Sequence, residues 1–444
     1  MRRLLPVVAA ALLWAAPAQG FTKETGAHTM SDGTSIAYDV YEPSGSKPAG
    51  GWPGVILLHG LGGSKDDMAP LAQILAAHGY AALAYSARGE GTSTGNLELA
   101  GPKEISDERA LESFFARLPN VSNTKIGGWG VSYGGGELWD GLAAGIPYKA
   151  AAVVATWTDL YSALWPQDVA KSGIVAGFAS AVDSRSPLVN GIANDAVHST
   201  NLPTLRTLAA ERSSLARLPS VRTPVYIFQG RVDYAFDVTQ AENGFRRVRG
   251  PKHLYIGQFG HPPSTFATRD LAYVQSETLA WFDHYLRGAP NGIDRSRPVT
   301  IAAARGAKRT SYTRLPRTKV VTVGFRGTTL GPRTGPRFRG ALETFGVSLL
   351  KVQVRRVSRF PRLVATVRAG GRVVTHGAIV PRVGLQTIRL ANYVQYLPRG
   401  TRLSVTFGDS SGSDLTYLGF GDPGRISLGP AELELQVLTR PVSG

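Results

Sequence analysis

The stretch Lys125-Ile126-Gly127-Gly128-Trp129 leads into Gly130-Val131-Ser132-Tyr133-Gly134, and a helical run over 135–144 follows. Read in order, this is a strand, a tight turn with a serine at its apex, and a helix. The small residues flanking Ser132 let strand and helix approach closely and leave the hydroxyl accessible. The N-terminus of the following helix favours negative charge developing nearby. A glycine-rich turn without chemistry shares the bare pattern, but the strand before it and the helix after it favour a nucleophile.

Outward from this turn, short unbroken apolar runs recur at 54–58, 81–85, 150–155, 224–228 and 253–257. Such runs suit strands of a parallel sheet covered on both faces. Between them lie helical patterns at 69–78, ended by Gly79, and at 107–118, between Ser106 as N-cap and Pro119. Strands alternating with helices give an α/β fold. The rhythm breaks over about 159–219, a stretch of helices and loops in which 202–218 is the clearest helix. An insertion there lies over the carboxyl ends of the strands and is expected to form a cap.

From Arg297 onward, short alternating segments take over at 319–325, 346–354, 362–368, 371–379, 386–390, 402–407 and 432–438. They predict an all-β sandwich or jelly roll. The expected organisation is a signal peptide over 1–20, a catalytic domain over 21–298 and a strongly basic β domain over 299–444. The signal peptide is read from Arg2 and Arg3, the apolar residues 4–14 and the small residues 16–20, with cleavage after Ala18 or Gly20. That apolar run is too short for a membrane span, and no later segment qualifies. The protein is therefore expected to be secreted, at the cell surface or in the periplasm.

A serine hydroxyl needs a base to take its proton. His261, in Phe259-Gly260-His261-Pro262, follows the last apolar run, where such a base belongs. His253 and His284 read as structural, His198 falls in the cap, and His376 falls in the β domain. The acid is expected just after 224–228, in Gln229-Gly230-Arg231-Val232-Asp233, with Asp233 preferred and Asp237 in reserve. The oxyanion donors are expected to be the backbone N–H groups of Tyr133 and of Leu61, in the loop His59-Gly60-Leu61-Gly62. Arg88-Gly89-Glu90-Gly91-Thr92-Ser93 lacks the lysine and spacing of a phosphate loop. It reads as a structural loop beside the site, with Arg88 pairing a carboxylate.

The 444 residues include no cysteine, which excludes a thiol nucleophile, a disulfide scaffold and a cysteine-based zinc site. No cofactor or metal is called for. The formal charge of +17 is unevenly placed. Residues 301–444 hold 23 Lys+Arg against 6 Asp+Glu, so the remainder of the chain is balanced. A uniformly basic nucleic-acid binder would not divide this way. The excess points to an anionic cell-surface polymer as a partner of 299–444, or simply to arginines covering a sandwich surface.

Together these features resemble the Xaa-Pro dipeptidyl peptidase and cocaine-esterase group of α/β-hydrolase serine hydrolases. The similar parts are Arg88-Gly89-x-Gly91-x-Ser93, Gly130-x-Ser132-Tyr133-Gly134, Asp159-Leu160-Tyr161, Gly260-His261 and residues 281–288, together with the order of hydrolase domain, cap and jelly roll. The resemblance implies Ser132, Asp233 and His261 as the triad. Members of the group often place a tyrosine hydroxyl in the oxyanion hole, whereas this chain has His59-Gly60. An Xaa-Pro peptidase also needs carboxylates for the substrate amine and an apolar proline pocket. Asp168 with Trp157 and Trp165 would supply them, or would form an ordinary cap ion pair and core aromatics. The expected function is a serine hydrolase working through an acyl-enzyme, Xaa-Pro dipeptidyl-peptidase-like on small peptides, or a carboxylesterase on small acyl esters. A polymer-binding protein on a hydrolase scaffold is the reading of another class.

Overall fold

Residues in the unbroken apolar runs become the inner strands of one sheet, because they have an apolar layer to bury on each face. The computed structural model describes residues 20–182, 186–264, 267–421 and 423–442. Nearly all of the anticipated signal segment lies outside the described residues. The strands are β1 (Phe21–Thr29), β2 (Ser35–Pro43), β3 (Trp52–Leu58), β4 (Ala81–Tyr85), β5 (Val121–Val131), β6 (Ala150–Val154), β7 (Val225–Gly230), β8 (Lys252–Gly257), β9 (Val299–Ala302) and β10 (Arg309–Tyr312). They lie in the order β1-β2-β4-β3-β5-β6-β7-β8-β9-β10. The pairs from β4 through β9 are parallel, and β1, β2 and β10 add antiparallel edges.

Helices α1 (Ala69–Ala77), α2 (Pro102–Phe115) and α3 (Tyr133–Ala143) join these strands. The cap follows as α4 (Leu160–Leu164), α5 (Ser172–Val182), α6 (Pro187–His198) and α7 (Leu202–Glu211). Then come α8 (Val238–Arg247) and α9 (Thr268–Arg287). One sheet face packs Leu111, Phe115, Leu138, Trp139 and Phe245 from α2, α3 and α8. The other packs Leu71, Leu75, Trp281, Phe282 and Leu286 from α1 and α9. The doubly covered sheet expected from the sequence is thus present. No described helix is long and apolar enough to cross a membrane.

The last third forms β11 (Thr318–Phe325), β12 (Arg333–Arg337), β13 (Leu342–Glu343), β14 (Leu349–Ser358), β15 (Leu363–Ala369), β16 (Arg372–Ile379), β17 (Gly384–Arg389), β18 (Tyr396–Leu397), β19 (Arg402–Gly408) and β20 (Arg425–Leu438). Two four-stranded antiparallel sheets, β11-β20-β14-β17 and β12-β19-β15-β16, enclose one core that includes Val352, Leu363, Val405 and Leu433. The fold is an α/β-hydrolase with a helical cap and a C-terminal β-sandwich.

Three local expectations change. The sandwich does not begin at 299, because β9 pairs with β8 and β10 with β9, carrying the catalytic sheet to Tyr312. A short alternating strand reads the same whichever sheet receives it. Helix α2 begins at Pro102, not after Ser106. Proline at the first helical position has its φ preset, and the Glu104 carboxylate accepts the N–H groups of Gly101 and Glu98. The helix expected over 202–218 ends at Glu211, after which Arg212 turns inward and donates to the carbonyls of Glu98 and Leu208.

Candidate active site

Ser132 follows β5 and caps α3 with φ 55° and ψ −116°, a conformation rare outside glycine. The turn is held by close backbone approach. A Cβ on Gly130 would lie 2.3 Å from the Gly134 carbonyl oxygen, and one on Gly134 would lie 2.4 Å from that of Leu58. The Gly134 N–H donates to His59 O at 2.9 Å, and Ser132 N–H to Val154 O at 2.9 Å. These contacts fix the serine where strands β3, β5 and β6 end.

The Ser132 hydroxyl lies 2.7 Å from Nε2 of His261. His261 follows β8, and its Nδ1 lies 3.0 and 2.9 Å from the two carboxyl oxygens of Asp233. A carboxylate beside Nδ1 requires the proton there, which leaves the Nε2 lone pair free for the serine O–H. Asp233 Oδ1 also accepts the N–H groups of Ala235 and Phe236 at 3.0 and 2.9 Å, so the acid loop wraps its own carboxylate. All three side chains are at most 9 % exposed. The rings of Phe178 and Phe236 meet the imidazole edge-on and shield it from water. Asp237 lies apart from this set: it caps α8 through Thr239 N–H and accepts the N–H of Asn392.

Tyr133 is the first residue of α3, so its N–H has no carbonyl within the helix to serve. Leu61 lines the same pocket as Ser132 and Tyr133. His59 organises this loop as a neutral ring: Nδ1 donates to Gly60 O at 2.8 Å, and Nε2 accepts Ala87 N–H at 2.9 Å. Burial pushes its pKa down, consistent with that state. Glu90, from the arginine-glycine loop, accepts the Gly62 N–H. In the same loop Arg88 makes a bidentate pair with Asp107 at 2.7 Å and a further bond to Asp32 at 2.9 Å. On α2 and α3, the buried carboxyls of Glu104 and Asp140 are each pushed up to about 7 by burial, and that of Glu108 to about 8.

The space above Ser132 measures ≈ 710 Å³, open solvent included. Leu61, Leu99, Trp157, Trp165, Phe178 and Phe236 are among its walls. Trp157 donates its indole N–H to Arg212 O at 2.7 Å, and Trp165 to Ala196 O at 2.8 Å, so both present only ring carbons to the cavity. Apart from Ser132 and Tyr133, the described lining residues are aliphatic or lack a free polar group, and no carboxylate is among those described. Asp168 is a correction to the expected amine-binding group. Its side chain is 41 % exposed, pairs with Arg206 and accepts the Tyr161 hydroxyl at 2.9 Å. It is the cap ion pair, and it lies outside the pocket lining. Phe178, Leu164 and Ile192 line the pocket but were not singled out from the sequence. Their only trace there is the apolar stripe of the cap helices.

The arrangement places a hydroxyl, a base and an orienting carboxylate in series beside an apolar pocket. Known proteins agree with this. The family model described as X-Pro dipeptidyl-peptidase (S15 family) matches residues 32–186. A curated relative from Escherichia coli, an uncharacterized 31.7 kDa protein in the traX-finO intergenic region, is 27% identical over 118 residues. That match covers 26% of this chain and 40% of the relative, so the chain spans less than half of the relative's length. A CocE/NonD family hydrolase from Staphylococcus aureus superposes with TM-score 0.73 at 14% identity, over 99% of both chains. An α-amino acid ester hydrolase gives 0.67 at 13% identity, over 98% of this chain and 100% of that one. An aminopeptidase from a marine sediment archaeon, Thaumarchaeota archaeon, gives 0.65 at 11%, over 94% and 97%. These likenesses show the shared fold along nearly the whole chain. With the family match, they bear out the resemblance: the chain has the α/β-hydrolase fold and is similar to the Xaa-Pro dipeptidyl peptidase and cocaine-esterase group of hydrolases.

Proposed function

We propose that the protein hydrolyses carboxylic esters that carry an apolar acyl group. Ser132 Oγ attacks the ester carbonyl as His261 Nε2 takes the hydroxyl proton. The N–H groups of Tyr133 and Leu61 hold the oxyanion. The imidazolium, held by Asp233, gives its proton to the departing alcohol. Water then attacks the acyl-serine by the same route and releases the acid.

The observation that carries the ester reading is the apolar pocket. A dipeptidyl peptidase must pay for desolvating the substrate's free amine, and it recovers that cost only from a carboxylate in the site. Among the described residues the lining offers none, and Asp168 is committed to Arg206. An acyl chain needs no such partner and gains about 0.8 kcal/mol per buried methylene. The Xaa-Pro dipeptidyl-peptidase-like reading, favoured by the family description, remains the alternative.

The test is a series of p-nitrophenyl esters from acetate to octanoate beside a Gly-Pro anilide, with Ser132→Ala as control. We expect kcat/KM to rise about four-fold per methylene until the pocket is filled. No turnover of the anilide is expected. Anilide cleavage exceeding that of every ester would overturn the ester reading.

Export and surface attachment belong to the same proposal. In the sandwich, arginines such as Arg337, Arg355, Arg382 and Arg402 are exposed, and Glu432 is the one exposed acid among its described residues. That charge suits an anionic wall polymer, with attraction weakening as salt rises.

A further inference from the structure

The acid loop 231–237 is held by the sandwich as well as by its own domain, where Arg231 N–H donates to Gly257 O at 2.7 Å and Gln229 to Phe236 O at 2.7 Å. Arg231, two residues before Asp233, is 1 % exposed and forms an ion pair with Glu343 of β13, which is wholly buried. The same guanidinium donates to Ala302 O of β9, and Glu343 also accepts the Val442 N–H from the C-terminal tail. The Arg231 carbonyl accepts Val394 N–H at 2.7 Å. Tyr234 lies against the rings of His376 and Tyr393. Asn392 closes the far end, donating its N–H to Asp237 at 2.9 Å and accepting that of Val238 at 3.2 Å. From the cap side, the buried Lys171 amine donates to Ala235 O at 2.8 Å.

We propose that Arg231 and Glu343 are positioning residues for the hydrolytic reaction. The buried pair sets the loop so that Asp233 meets His261, which makes the sandwich part of the active-site framework. A buried ion pair is a poor stabiliser, because desolvation offsets its attraction and an apolar pair of similar size serves stability as well. Its directionality is what an apolar pair lacks: a guanidinium and a carboxylate fix both distance and orientation. The proposal rests on the serine-hydrolase reading.

The experiment uses the full chain. Three variants are compared with wild type: Glu343→Gln, the double variant Arg231→Met/Glu343→Leu, and Gln167→Ala. Gln167 bridges the cap to β17 through Thr387 and Arg389, so it tests the domain seam away from the acid loop. Ester kinetics, thermal unfolding and fluorophosphonate labelling of Ser132 are measured for each. Glu343→Gln should lower kcat about ten- to a hundred-fold with KM nearly unchanged, as expected of a displaced catalytic group. The double variant should recover the wild-type unfolding midpoint while kcat stays low. Gln167→Ala should leave kcat unchanged. Recovery of kcat together with stability in the double variant would overturn the proposal, and it does so even if Glu343→Gln fails to fold. Failure of the wild type to label would instead remove the underlying serine-hydrolase reading.

Discussion

Glu108→Gln should stabilise the protein, and by more at pH 9 than at pH 6. Glu108 is wholly buried on α2, and a Cβ on Gly141 of α3 would lie 2.3 Å from its carboxyl oxygen. Burial pushes the carboxyl up from 4.5 to about 8, opposed by the Tyr148 hydroxyl and Arg109 and reinforced by Asp140 and Glu112. In the unfolded chain the group ionises near 4.5, while in the folded chain it stays protonated to about 8. The unfolded state therefore binds fewer protons across that window, and stability falls as pH rises through it. From pH 6 to pH 9 the fall covers about two pKa units, or roughly 3 kcal/mol through this group. Glutamine keeps the shape of the protonated acid and cannot ionise. Urea unfolding of wild type and variant at pH 6 and pH 9 measures the effect. The variant should gain about 3 kcal/mol on wild type between the two pH values. A gain below about 0.5 kcal/mol, within the scatter of such extrapolations, would refute the reasoning.

Asp168→Ala removes the partner of Arg206 at the cap surface, so kcat/KM on esters should stay within about two-fold, as for an exposed ion pair. Steady-state assays with charged and neutral acyl groups check this, and a selective loss toward amine-bearing substrates would restore Asp168 to the site. Gly136→Ala places a Cβ 2.3 Å from the Trp157 ring, between the nucleophile helix and the pocket wall. Overpacking of this kind costs about 1–3 kcal/mol. Fluorophosphonate labelling should slow and the unfolding midpoint should fall, both read on the purified variant.

The serine and its partners are largely legible in the chain because their signals are local. Gly130 is demanded by a backbone contact within the turn itself and Gly134 by the nearby end of β3, and the loops bearing Asp233 and His261 follow recognisable strands. The parallel core is legible for a similar reason, since a strand buried on both faces has no polar side to show. The edge strand β1 is less so: it is mostly exposed and lacks that signature. β9 and β10 look like sandwich strands and join the other sheet only because β8 offers a free edge beside them.

By itself, then, the sequence determined the fold class, the nucleophile turn and the order of its partners, through patterns that span a few residues each. The tertiary structure alone decided what surrounds them. Asp168 and the two tryptophans look equally suited to a substrate site in one dimension. Folding turns the indole N–H groups onto backbone carbonyls and Asp168 onto Arg206. Likewise, Arg231 and Glu343 stand 112 residues apart, and nothing local marks either as the other's partner. Burial is a property of the packed whole, and it is burial that leaves the pocket apolar and forces that charged pair together.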